Sequence, residues 1–139
     1  MIEVNLNNIK SHLKLGLIHI NMVYPIRKDA HFRVDAPIKV TLSNDAVIYI
    51  EKNFEFDGSS SPKFLWWLFP SYGNFFFAAL VHDFLYVKQY MKEEIGVKEA
   101  QKFADNEMLA WSNKLNNNKL DNLLRFWAVR LFGKKVYKK

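Results

Sequence analysis

The sequence predicts an α+β fold, an N-terminal antiparallel sheet or hairpins followed by a helical half of three to four helices. Three observations carry that expectation. Two-residue alternation and turn formers fill the first third, apolar residues at helical spacing fill the part beyond residue 63, and neither a repeat nor a linker separates them. The 139 residues suit a single domain over 1–139 with its own core. Apolar residues at 50% against 24% charged exclude a disordered chain. With no cysteine, a disulfide scaffold and thiolate metal sites are excluded as well.

Residues 1–56 read mainly as strands. Leu13, Leu15 and Leu17 alternate with other residues, and Ile38, Val40 and Leu42 do the same before the turn formers Ser43-Asn44-Asp45. Residues 47–50 follow, so 37–51 make a hairpin, with Pro25 and Pro37 ending strands. Residues 57–73 are a loop and a short helix over the aromatic run 64–69, closed by Pro70 and Tyr72-Gly73. That run reads equally as a lipid-contacting rim, a protein interface or core against the sheet.

Residues 74–133 are helical. Residues 74–91 form an almost wholly apolar helix, buried on most sides. A helix over about 97–115 places Val97, Ala100, Phe103, Ala104, Met108, Trp111 and Leu115 on one face, and Asn116-Asn117-Asn118 breaks it. A last helix near 119–132 turns Leu120, Leu123, Leu124, Trp127 and Leu131 inward and stops at Gly133. Residues 134–139 are a basic tail.

The net charge of +6 is unevenly placed. Residues 114–139 hold eight lysines and arginines against the single acid Asp121, a net +7, while the first 113 residues hold twelve basic against thirteen acidic ones, a net −1. Lys134, Lys135, Lys138 and Lys139 suit an anionic membrane surface or an acidic partner, or serve as a solvated tail. No nucleic-acid motif accompanies them, so nucleic acid is not an expected partner. The N-terminus lacks a signal-peptide pattern, and no apolar stretch is long enough to span a bilayer.

His82 and Asp83 are the strongly polar residues between Phe75 and Val87. A buried carboxylate needs a compensating cation, donor cluster or metal. His82 and Tyr86, four apart, share a helix face, and Asp83 points about 100° away. If the next helix is an antiparallel neighbour, Asp105 accepts a hydrogen bond from a ring nitrogen of His82 or from Tyr86. The imidazole is then oriented to take a proton from water through its other nitrogen. Asp57 precedes Gly58, whose backbone turns carbonyls toward a ligand. Asp57, a nearby carbonyl and Asp83 would make an oxygen-rich site for a hard cation such as calcium. The competing reading is structural: Asp83 pairs with Arg125 or Arg130, His82 bonds a carbonyl, Asp57 is a turn residue, and Asp105 is exposed or pairs with Lys98 or Lys102. His12, His19 and His31 show no ligand spacing.

The run Asp57-Gly58-Ser59-Ser60-Ser61-Pro62, then Ala78-Ala79, His82-Asp83-x-x-Tyr86, Ala104-Asp105 and Val129-Arg130-Leu131-Phe132-Gly133, resembles an uncharacterised phage and prophage family, domain-of-unknown-function family 1353. Five blocks match in order over roughly residues 35–137. The same blocks are more weakly similar to secreted bacterial phospholipase A enzymes, calcium-dependent esterases with a His-Asp-x-x-Tyr helix packed on a second helix. That likeness implies calcium held by Asp57, the Gly58 carbonyl and Asp83, with His82 as general base oriented by Asp105 and Tyr86. Those enzymes usually carry cysteines near the positions of Ser59 and Ala79, and this chain has none.

Three function classes follow. One is a calcium-dependent hydrolase of phospholipid or another ester. The second is a non-enzymatic tail or baseplate component that assembles with phage structural proteins. The third is a phage effector that binds a host protein. The expected locations are the host cytoplasm or the virion.

Overall fold

The computed structural model describes residues 1–22, 32–56, 72–115 and 117–133, without side chains at 21, 22, 32, 56, 72–76 and 132. The chain divides into two compact units, Met1–Asp57 and Gly58–Lys139.

The first unit holds β1 (Ile2–Val4), α1 (Ile9–Lys14), β2 (Ile20–Met22), β3 (Phe32–Val34), β4 (Ile38–Thr41), β5 (Val47–Ile50) and β6 (Glu55–Phe56). The expected hairpin is present. β4 and β5 pair antiparallel, with Val40 opposite Ile48 and Ile38 opposite Ile50, all four buried. Its turn closes through Leu42 N–H to Ala46 O at 2.7 Å, and Asp45 takes a left-handed φ of 68° that an aspartate tolerates. β1 joins the other edge of β4 in parallel, so that sheet is mixed. A second sheet, ordered β2-β3-β6, is antiparallel throughout.

The leucine alternation at 13, 15 and 17 does not make a strand. Asn5 and Asn8 bond reciprocally, Asn5 N–H to Asn8 Oδ1 at 2.8 Å and Asn8 N–H to Asn5 Oδ1 at 2.9 Å. These bonds satisfy amides at the entry to α1, and Ile9 becomes its buried anchor while Leu15 and Leu17 stay exposed.

The second unit holds α2 (Tyr72–Val87), α3 (Lys92–Ile95), α4 (Val97–Leu115) and α5 (Lys119–Phe132). α2 ends four residues before its expected limit. Tyr90 N–H bonds Leu85 O and Gln89 N–H bonds Tyr86 O, both at 3.1 Å, with Gln89 at a φ of 48°, which is a Schellman termination. The break at residues 116–118 and the end of the last helix fall where expected. Asn118 Oδ1 accepts from Asp121 N–H at 3.1 Å to start α5, and Gly133 ends it.

α4 is the middle helix, packed on α2 and on α5. Phe77 meets Trp111 at one end and Tyr90 meets Phe103 at the other, so α2 and α4 run antiparallel. Because two neighbours cover α4, its polar Gln101, Asp105, Glu107 and Ser112 are buried alongside Ala100, Ala104, Met108 and Trp111. Val97, expected on the packed face, is exposed at the helix start.

The last helix reverses the expected orientation. Asn122, Arg125, Ala128 and Val129 are its buried residues, while Leu120, Leu123, Leu124, Trp127 and Leu131 are exposed, Leu120 by 66% and Leu131 by 71%. Specific polar contacts hold this arrangement. Asn122 Nδ2 donates to Ser112 O at 3.1 Å and to Asn113 Oδ1 at 3.0 Å, Arg130 bonds α4, and Ala128 and Val129 are small enough for close approach. Burial pushes the Arg125 guanidinium below its usual range, against the opposing charge of Asp121. Burying one leucine is worth about 1.5–3 kcal/mol, so an outward stripe of four leucines and a tryptophan leaves much of that gain unused.

Candidate functional site

The site is built from three helices of the second unit. α2 carries His82 and Tyr86 one turn apart, with ring centroids 4.2 Å apart. α4, antiparallel beside it, brings Asp105 to both. His82 Nε2 lies 2.7 Å from Asp105 Oδ1, and the Tyr86 hydroxyl donates to the same oxygen at 2.5 Å. From α5, Arg130 Nη1 donates to Asp105 Oδ2 at 2.8 Å. Gln101, one turn before Asp105, donates from Nε2 to the Tyr86 oxygen at 3.4 Å.

A carboxylate only accepts hydrogen bonds, so the pairing assigns the ring proton to His82 Nε2 and, in the neutral ring, the lone pair to Nδ1. Nδ1 lies on the side of Asp83, 4.0 Å from its Oδ1. Burial, reinforced by the charge of Asp105 and its hydrogen bond, pushes the Tyr86 phenol far above its usual range. Tyr86 therefore remains an O–H donor at any ordinary pH. His82 and Asp105 are fully buried and Asp83 almost so.

His82, Tyr86 and Asp105 thus come together as the antiparallel reading requires, and Asp105 is buried and, among the described residues, pairs with Arg130 and not with Lys98 or Lys102. Arg130, considered as a partner of Asp83, bonds Asp105 instead. Asp57 and Gly58, the other expected calcium ligands, lie outside the described residues, as do the aromatic run 64–69 and Lys134, Lys135, Lys138 and Lys139. Asp83 offers the hard oxygen that calcium prefers. Among the described residues no three His, Asp or Glu side chains group to hold a metal ion.

Two contacts escaped the sequence reading. Gln101 precedes Asp105 by four residues, a spacing that puts it on the same face of α4. Gly133 is a matter of space: a Cβ there would lie 2.5 Å from Val129 O and 2.6 Å from the Tyr86 hydroxyl oxygen. Both Arg130 and Gly133 stand in the final block of the resemblance, and both reach the cluster around Asp105.

The family described as Protein of unknown function (DUF1353) matches residues 32–129, most of the chain. The chain belongs to this family. The DUF1353 span takes in His82, Asp83, Tyr86, Gln101 and Asp105 and stops one residue before Arg130. Neither a curated protein nor a solved structure matches the chain, so the phospholipase likeness gains no support from these comparisons. No helix among the described residues is long and apolar enough to cross a membrane.

Proposed function

We propose that this DUF1353 protein is a phage-encoded, calcium-dependent ester hydrolase of the phospholipase type, with His82 as general base. One observation carries the reading: His82 Nε2 is fixed by Asp105 at 2.7 Å, and Asp105 is itself fixed by Tyr86 and Arg130. A base restrained in this way is held in one orientation for proton transfer.

In the proposed reaction the His82 imidazole takes a proton from water as the water oxygen attacks the ester carbonyl carbon. The imidazolium then donates that proton to the departing alkoxide as the acyl C–O bond breaks. Asp105 stabilises the transient imidazolium from the Nε2 side, and Tyr86 and Arg130 keep the carboxylate in place. Asp83, with Asp57 and the Gly58 carbonyl, would hold calcium, which supplies polarisation of the ester carbonyl. Phospholipid is the proposed substrate class, acted on in the host cytoplasm or at the virion.

The test is fatty-acid release from anionic liposomes, with calcium or with chelator, by the native protein and by His82→Ala. Release that requires both calcium and His82 supports the reading; no calcium-dependent release, or full activity in the variant, overturns it.

The full burial of His82 and the Arg130–Asp105 ion pair favour a second reading, in which the same network is a structural core of a non-enzymatic virion component. In that case His82→Ala lowers the melting temperature and there is no turnover to lose.

A further inference from the structure

α5 is amphipathic, and its apolar side faces away from the helix it packs on. Leu120, Leu123, Leu124, Trp127 and Leu131 fall in a stripe roughly 100° wide at 3.6 residues per turn, opposite Asn122, Arg125 and Val129. All five are exposed, Trp127 by 55%. We propose that this outward face of α5 is a docking surface for an anionic phospholipid bilayer.

Charge and size select that occupant. Residues 114–139, which include the helix, hold eight basic side chains and one acid; Arg125 is buried on the opposite face and Arg130 bonds Asp105, which leaves six lysines to complement an anionic surface. The exposed Lys119 borders the stripe, and four further lysines follow the helix in the sequence. Basic residues next to an apolar stripe complement anionic headgroups, while leucine and tryptophan enter the boundary between headgroups and acyl chains. A second copy of the chain is a poorer fit, because a stable protein interface takes roughly 20–30 residues a side and this stripe has five. The surface stands on its own geometry and does not depend on His82 being a base.

The experiment is co-sedimentation of the full chain with phosphatidylcholine vesicles, with and without phosphatidylglycerol, read together with tryptophan fluorescence. The chain is expected to partition onto the phosphatidylglycerol vesicles, to be released by added salt, and to show a blue shift that Trp127→Phe removes. The triple variant Leu123→Ser, Leu124→Ser, Leu131→Ser is expected to lose at least about tenfold in partitioning while keeping the native circular dichroism melt. No binding by the native chain, unchanged binding by the triple variant, or equal binding to vesicles without phosphatidylglycerol overturns the proposal. So does sedimentation velocity showing a dimer that the triple variant abolishes, which would give the stripe to a second copy. Binding is measured without turnover, so failure of the hydrolase reading leaves this result intact.

Discussion

Asp105 accepts from side chains on two neighbouring helices, and each donor answers a different need of a buried carboxylate. His82 and Tyr86 share Oδ1, and Arg130 supplies the opposite charge at Oδ2. Removing one member of a buried charged pair leaves its partner uncompensated, so Asp105→Ala is expected to lower stability by about 3–5 kcal/mol, read from the urea midpoint. Tyr86 adds a pH signature. Its folded pKa is raised above the ordinary value of 10.0, so its contribution is fully present below that pH and declines as pH climbs toward the folded value. Urea midpoints measured between about pH 8 and pH 11 should fall more gently in Tyr86→Phe than in the native protein. Gly133→Ala should cost about 1–3 kcal/mol in thermal or urea melts, because the added methyl needs space held by Val129 O and the Tyr86 hydroxyl. Much of this site was legible in the sequence. A four-residue His–Tyr spacing and an acid on the next helix are enough to bring His82, Tyr86 and Asp105 together. Arg130 and Gly133 were not assigned to Asp105 and Tyr86, since their roles depend on how the last helix approaches α4.

Among the elements, the bounds of α4 and α5 were readable because the asparagine run 116–118 interrupts the helical pattern locally, and Asn118 caps the start of α5. α1 was hidden because a three-leucine alternation looks like a strand, whereas the Asn5–Asn8 bonds that start the helix lie upstream of it. The orientation of α5 has a different origin. Periodicity identifies an apolar stripe but carries no information about which side a neighbour takes, and here the Asn122 and Arg130 contacts decide it. The end of α2 offers a separate test. Gln89 occupies a left-handed conformation that costs a side-chain-bearing residue roughly 1–2 kcal/mol. Gln89→Gly should therefore stabilise the protein by about 1 kcal/mol, less whatever the Lys92 Nζ to Gln89 Oε1 bond at 2.9 Å contributes, as measured by denaturant unfolding.

Over the whole molecule, the segregation of charge matters more than its sum. A net +7 in residues 114–139 concentrates any attraction to anions at the end that carries the outward stripe. A lysine close to an anionic membrane contributes about 1 kcal/mol, so replacing Lys134, Lys135, Lys138 and Lys139 with glutamine should weaken vesicle binding by at least an order of magnitude at low salt. The same replacement should flatten the salt dependence in the sedimentation assay while leaving the melting temperature near the native value.

The parallel pairing of β1 with β4 also sets an order of events in time. Ile2 lies opposite Ile38, and Lys39 bonds Glu3 at 3.0 Å across 36 residues of chain. The β4–β5 hairpin needs only a local turn, so it can form while β1 still waits for that long loop to close. On a ribosome, β1 would thus emerge before β4 and still be among the last strands of this sheet to find its partner, and β4 would spend that interval as an open edge.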